Sequence, residues 1–405
     1  MLRQEQIAEV IDAQQVDFLK IDDKLPREAL SQIPIVDNFA TIITGVRRCG
    51  KSTILLQLLN QKYKKSIYCN FEDIRLVSFD TSDFVRLHAE IKKREVDVLF
   101  FDEIQLAKGW DVFVHQLLRE SFKVFITGSN ASLLSKELGT HLTGRHIPME
   151  LFPFSYNEFL EYKKLEASED SMKQYLSIGG VPEYVKTDMQ MILTTMMDDI
   201  LVRDIAIRQS IRDVSSLKQL ALYLLSNIGK PVAANKLTGL FGVKAPSTIL
   251  EYFSYLSDAY LVEFVPQFSY SLKTQSRNPK KVYAIDTGLV TALSMSFTDD
   301  FGRRLENLVY LHLRRKYKEI FFFANKGECD FVVFDRSTIK LAVQVCYHID
   351  DLNFERELNG LTEAMTTLHL SEGIIVTMSQ SDSFEKDGKR IKMIPAYHFL
   401  RTEIE

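Results

Sequence analysis

The residues with the clearest chemistry lie near the start of the chain. Gly45-Val46-Arg47-Arg48-Cys49-Gly50-Lys51-Ser52 matches G-x-x-x-x-G-K-[ST] at every fixed position. A β-branched apolar run, Phe39–Thr44, precedes it, and TILLQLLNQKY follows with helical spacing. A phosphate-binding loop requires that strand–loop–helix setting. The glycines let backbone wrap an anion, and the loop N–H groups and helix N-terminus face it. Lys51 would neutralise the β- and γ-phosphates of ATP, and Ser52, followed by Thr53, would offer a hydroxyl to Mg2+. Further on, Val98-Leu99-Phe100-Phe101 runs directly into Asp102 and Glu103. Carboxylates at the C-terminal end of a parallel strand sit where open sheets bind ligands. Asp102 would hold Mg2+ through water, and Glu103 would activate the attacking water as general base. Ser129 and Asn130, in TGSN, would orient that water, or else serve as a turn or helix cap. Arg145, in LTGRH, stands where a cationic finger would reach a γ-phosphate, in the same chain or from a neighbouring subunit. Its alternative is an ordinary surface arginine.

These residues need a scaffold, and the first third supplies one by pattern. Apolar runs at Phe39–Thr44, Ser66–Phe71, Val96–Glu103, Phe122–Ser129 and His146–Phe152 read as strands. Helical patterns separate the first four, at TILLQLLNQKY, Ser82–Arg94 and WDVFVHQLLRE. Strands alternating with helices predict a mostly parallel sheet covered on both faces. The N-terminal MLRQEQIAEVIDAQQVDFLK reads as an amphipathic helix and not as a secretion signal.

Composition removes several classes. The chain has 405 residues, 46% hydrophobic and 26% charged, which are ordinary globular values. Glycine at 17 and proline at 10 argue against collagen-like and linker-rich chains. Four scattered cysteines with no C-x-x-C pair argue against a disulfide framework or structural zinc, and fit a reducing, cytoplasmic compartment. No apolar run reaches the roughly 18 residues of a membrane-spanning helix, so no membrane role is expected. Net charge is −4 overall, yet Arg203–Lys281 carries +6. A basic block in an acidic protein points to an anionic partner or to a solvated surface.

GVRRCGKST, VLFFDEIQ, ITGSNASLLS, LTGRHIPMELFPFSYNEFL and GGVPEYV occur in that order, and together they resemble a prokaryotic family of AAA+-type ATPases over nearly the whole chain. Members carry an uncharacterised C-terminal region with a nuclease-like fold. The resemblance implies a P-loop core with an extra strand between the phosphate-loop strand and the acidic strand. It also implies ATP and Mg2+ as cofactors, and it leaves the biological role open. The expected organisation is α/β: an N-terminal helical segment (1–30), an AAA+-type P-loop core with a parallel sheet (31–152), a helical lid (153–213), a winged helix (214–290) and a small α/β nuclease-like domain (300–405). In the lid, one helical pattern runs to Ile178 and breaks at Gly179-Gly180 and Pro182. Arg203-Asp204 would join lid to core or simply be solvated.

Val214–Gly229, Pro231–Gly242 and Lys244–Val262 read as three helices, with Ser247 and Thr248 near the start of the third. EFVPQFSY and KVYAIDT follow as strands around SLKTQSRNPKK. This is helix-turn-helix spacing with a wing, and Lys273, Arg277, Lys280 and Lys281 would contact DNA phosphates. Glu251 and Asp258 on the third helix disfavour DNA, and Tyr252, Phe253 and Tyr255 favour a protein partner instead. In the last domain, a helix with Glu306, a strand with Glu328 and Asp330, and a strand with Gln344 and Cys346 resemble the restriction-endonuclease-like fold. There the acids would bind Mg2+ and a lysine would polarise water. Cys346 stands where that lysine belongs, with Lys326 or Lys340 as substitutes, so the site is expected to be vestigial. Gln344 and Cys346 alternate onto the face toward Asp330. The resulting expectation is an ATPase whose nucleotide state controls DNA or partner binding and which can form homo-oligomers. The alternatives are an ATP-gated nuclease and a nucleotide-switched protein scaffold.

Overall fold

The computed structural model describes residues 1–18, 20, 25–130, 144–294 and 300–402. The chain divides into two compact units, Met1–Phe152 and Pro153–Glu405.

The first unit begins with α1 (Gln4–Phe18), followed by β1 (Ala40–Thr44), α2 (Lys51–Lys62), β2 (Ser66–Asn70), α3 (Asp83–Lys93), β3 (Val98–Asp102), α4 (Trp110–Arg119), β4 (Lys123–Gly128) and β5 (His146–Glu150). The sheet order is β2-β3-β4-β1-β5, with every pairing parallel. β4 thus separates the phosphate-loop strand β1 from the acidic strand β3. Register places Thr44 beside Gly128 and Asn70 beside Asp102, so all four lie at one end of the sheet. β1, β3 and nearly all of β4 are buried, as a doubly covered parallel sheet demands.

α1 is not a separate N-terminal segment. Its Ile7, Val10 and Ile11 join the core formed by Leu87, Ile91, Leu99 and Phe101. It also covers the open edge of β2. Gln15 Oε1 accepts from the Tyr68 N–H at 3.0 Å, and Gln14 accepts from the Asn70 N–H at 2.8 Å and donates to the Asn70 carbonyl at 2.9 Å. The two glutamine amides thus satisfy backbone groups that an edge strand otherwise leaves bare.

The second unit opens with α5 (Tyr156–Lys163), α6 (Glu169–Ile178), α7 (Pro182–Thr187) and α8 (Met191–Asp199), the last continuing as a π-helix over Ile200–Ile207. The single helix expected up to Ile178 is two, because Ser155 and Ser168 each start a helix with a capping box. Gly179-Gly180 follows, and the Gly180 N–H donates to buried Asp286 at 2.6 Å. Arg203 pairs with Asp199 on its own helical stretch at 3.5 Å. A small module comes next: α9 (Val214–Leu225), β6 (Pro231–Val232), α10 (Ala234–Leu237), α11 (Pro246–Asp258), β7 (Val262–Pro266), α12 (Leu272–Arg277), β8 (Lys280–Ala284) and α13 (Thr287–Leu293). Its antiparallel sheet has the order β6-β8-β7. The stretch expected to be a plain basic hairpin loop contains α12, capped by the Ser271 side chain.

The rest comprises α14 (Phe301–Lys316), β9 (Glu319–Ala324), β10 (Glu328–Asp335), β11 (Thr338–Val345), α15 (Phe354–Thr367), β12 (Glu372–Thr377), β13 (Asp382–Lys386), β14 (Lys389–Pro395) and α16 (Ala396–Phe399). They build a mixed sheet ordered β13-β14-β12-β11-β10-β9. β13 and β14 lie beyond the strands expected from sequence. They are mostly exposed or alternating in burial, so they lack the long apolar runs that mark the others. Residues 153–402 thus form one compact unit where three separate domains were expected.

Candidate functional site

The loop after β1 has the backbone that its glycines predict. Gly50 has φ 99°, and a Cβ there would stand 2.7 Å from Arg27 Nη1. A Cβ on Gly45 would meet the Leu151 carbonyl at 2.2 Å. Side chains are therefore excluded at both positions. Val46 and Cys49 are fully buried, and burial raises the Cys49 thiol pKa. Arg48 is left-handed at φ 64°, and Arg47 pairs with Glu72 at 3.4 Å.

Lys51 opens α2 and is buried. Its ammonium rests on the Gly45 and Val46 carbonyls at 3.2 and 3.3 Å and lies 3.8 Å from Glu103. Ser52 Oγ donates to Asp102 Oδ2 at 2.6 Å. These are the groups from which a P-loop holds triphosphate and Mg2+: a cation on neutral acceptors, a hydroxyl, and a carboxylate at the adjoining strand end. Asp102 also accepts from Tyr68 Oη at 2.7 Å and from Thr127 Oγ1, and Thr127 Oγ1 accepts the Glu103 N–H at 3.1 Å. Glu103 itself is held at φ 51°, a sparsely populated conformation for a non-glycine residue. Burial raises its carboxyl pKa against the opposing pull of Lys51. A carboxylate with a raised pKa is a stronger base than an ordinary glutamate.

Sequence reasoning did not find Tyr68, Thr127 or Arg27. Tyr68 lies in the middle of β2 and Thr127 near the end of β4, the strands flanking β3, where polar groups in an apolar run are the available signal. Tyr68 is stacked on Phe18 with centroids 3.6 Å apart, which links the acidic site to α1. Arg27 carries no local signal. Its buried guanidinium donates to the Cys49 carbonyl at 2.6 Å and the Phe152 carbonyl at 2.7 Å, bracing the loop from behind.

Ser129 and Asn130 are buried just past β4, at the same sheet end as Asp102, and both are engaged by other groups. The ASLLS stretch and the start of LTGRH, within residues 131–143, lie outside the described residues. Arg145 is exposed and precedes β5, whose first residue pairs with Ala40 at the start of β1. It therefore stands at the end of the sheet opposite the loop, about 13 Å away along β1. Reach to the phosphate loop of its own chain is corrected on that ground.

In the second unit, Lys273, Arg277 and Lys280 are exposed, but Lys281 is only 2% exposed. Its expected phosphate contact is corrected. Lys281 lies in β8, and its side chain forms ion pairs with Glu306, Glu328 and Asp330. Gln344 does meet Asp330, accepting its N–H at 3.1 Å. Cys346 Sγ instead contacts the His348 carbonyl at 3.2 Å and the Asn353 amide at 3.7 Å. Lys326 and Lys340 are exposed, so the cluster's lysine comes from neither. Among the described residues, no helix is long and apolar enough to cross a membrane.

Comparison with known proteins bears on both units. Residues 37–160 match the model of the AAA domain, and residues 169–300 match a domain of unknown function (DUF8612). An uncharacterized protein of Methanocaldococcus jannaschii is 35% identical, covering 92% of this chain and 90% of its own length. An uncharacterized protein of Haemophilus influenzae is 31% identical over 87% of this chain and 92% of its own. Among solved structures, Cdc6p from Pyrobaculum aerophilum aligns at 12% identity over 72% of this chain and 92% of that one. Its TM-score of 0.27 is too low to bear on function.

Proposed function

Since the chain belongs to the family of these archaeal and bacterial proteins and its residues 37–160 match the AAA domain, we propose that it is an Mg2+-dependent ATPase. One observation carries the reading: Ser52, Asp102 and Lys51 converge at a single sheet end, with the Ser52 hydroxyl 2.6 Å from the Asp102 carboxylate. Gly45 to Thr53 would hold the phosphates, and Ser52 and Asp102 would hold Mg2+, which supplies charge neutralisation at the phosphate oxygens. Glu103 would accept the proton of the attacking water. Thr127 and Tyr68 keep the acidic turn in place, and Ser129 or Asn130 orients the water. Arg145 fits a finger offered to a neighbouring subunit, which makes homo-oligomerisation part of the reading. Calorimetry with Mg-ATP and phosphate release test it. Wild-type protein binds and turns over, Glu103→Gln binds without turnover, and Lys51→Ala does neither.

The module spanning 214–284 is proposed to be a winged helix coupled to nucleotide state in a cytoplasmic protein. Its element order and β6-β8-β7 sheet support this. Lys273, Arg277 and Lys280 remain as its candidate DNA contacts, and Tyr252 and Phe253 are buried in its own core and not offered to a protein partner. The C-terminal α14-to-α16 region is proposed to retain a nuclease-like fold without the chemistry, with Glu306 on a helix beside Glu328 and Asp330 on β10.

A further inference from the structure

Three carboxylates meet around one ammonium in the second unit. Glu306 projects from α14, while Glu328 and Asp330 open β10 at a register shift against β9. Lys281 Nζ lies 3.0 Å from Glu306, 2.7 Å from Glu328 and 2.8 Å from Asp330. Glu306 Oε1 and Asp330 Oδ1 each accept one of its N–H groups, and Glu328 adds an ion pair. Two of these carboxylates have further partners. Tyr283 Oη donates to Glu306 at 2.6 Å, and the Val345 N–H donates to Asp330 Oδ2 at 2.9 Å. β8 is clipped to α14 as well, by paired bonds of 2.7 and 2.8 Å between the Asn307 amide and the Ala284 backbone. The strand that carries Lys281 is thereby fixed beside the helix that carries Glu306.

Burial alone would lower the lysine pKa, but Asp330, Glu306 and Glu328 outweigh it and hold the ammonium charged. Burial, followed by Asp330, raises the pKa of Glu306. Glu306 and Asp330 are largely buried and Glu328 is half exposed, so the ammonium offsets the charge of acids that water reaches poorly. A divalent ion would need the same oxygens at about 2.0–2.6 Å, inside the space the ammonium occupies. Among the described residues, no group of His, Cys, Asp and Glu is arranged to hold a metal.

We propose that Lys281 is a built-in cation, standing among Glu306, Glu328 and Asp330 where a divalent ion would sit and closing the cluster to metal. The carboxylates are retained and the metal is replaced from within the chain. The inference rests on the nuclease-like reading of this region and not on the ATPase reading, and it predicts that the sheet's acids support no metal-dependent DNA cleavage.

The test uses the full chain without nucleotide and Mn2+ as probe. Wild-type protein should show no Mn2+-dependent change in Tm and no Mn2+ signal by electron paramagnetic resonance that Asp330→Asn removes, any Mn2+ held at Ser52 and Asp102 being insensitive to that substitution. Lys281→Met should bind one Mn2+ per chain and gain roughly 5 °C in Tm at about a hundredfold excess over Kd. Adding Asp330→Asn to that variant should remove both effects. If Lys281→Met is recovered only unfolded, its refolding yield in Mn2+ is compared with that in EDTA, and a yield that depends on Mn2+ supports the proposal. Indifference of Lys281→Met to Mn2+ in either assay overturns it. So does Mn2+ bound by wild-type protein through Asp330, or DNA cleavage by wild-type protein that Lys281→Met loses.

Discussion

Lys51 and Lys281 are both buried lysines beside carboxylates at the ends of strands, and they are held in opposite ways. Lys51 rests on two carbonyls at 3.2 and 3.3 Å, and the Glu103 carboxylate is 3.8 Å off. Those neutral acceptors are exchangeable for a stronger anion. Lys281 has three carboxylates within 3.0 Å. A desolvated ammonium on neutral acceptors is a site awaiting negative charge, whereas one inside a ring of acids is already neutralised. The surroundings differ in the same sense. The first lysine sits on a loop at a helix N-terminus, and the second is part of a strand clipped to a neighbouring helix. Residue type alone says nothing about which lysine is poised for a ligand and which is consumed by the fold.

The comparison breaks most visibly at Lys51. Lys51→Ala should weaken Mg-ATP binding by roughly 100-fold or more in calorimetry, since no other cation of the loop helix replaces it. Unchanged affinity would make Lys51 as structural as Lys281. Glu103→Gln should retain affinity and lose about 10²- to 10⁴-fold in turnover, because an amide takes no proton.

A pH series sharpens the same contrast. Glu103 titrates above the ordinary glutamate value, and only its ionised form is a base. ATPase activity should therefore fall on acidification at a pH above about 4.3, and Glu103→Gln should lose that limb. The stability effect has the opposite sense. A buried carboxylate with raised pKa costs the folded state at every pH above its unfolded value, so Glu103→Gln should be neutral to stabilising at pH 7. That difference should vanish below about pH 4. At Lys281 the sign reverses. Lys281→Met strands buried acids and should destabilise by about 3–5 kcal/mol in urea unfolding.

Two smaller effects complete the series. Lys273, Arg277 and Lys280 replaced by alanine should flatten the log–log salt dependence of duplex DNA binding by up to roughly 0.9 per lost phosphate contact. An unchanged slope would remove DNA from the proposed function of the module. Tyr68→Phe deletes one hydrogen bond to Asp102 and should cost about 1 kcal/mol of stability, with a few-fold change in the apparent Mg2+ requirement for turnover.

The phosphate loop, the acidic strand end and the alternation of the first unit were legible because each is local. Eight consecutive residues dictate the loop's conformation, and a four-residue apolar run leading into Asp102 dictates where the carboxylate emerges. Periodicity and glycine geometry act within a few residues, so one sequence suffices for them. The tertiary structure alone decided that α1 covers β2 through Gln14 and Gln15, that Arg27 braces the loop 22 residues ahead of Cys49, and that Arg145 faces away from it. It also decided that Lys281, which reads as one more solvated cation in a basic run, ends among acids as far as 49 positions away in the chain. The physical reason is that a charge's environment depends on its nearest atoms in space. Local sequence shows how a lysine is presented, but the packing of distant strands and helices determines whether it meets water, phosphate or carboxylate.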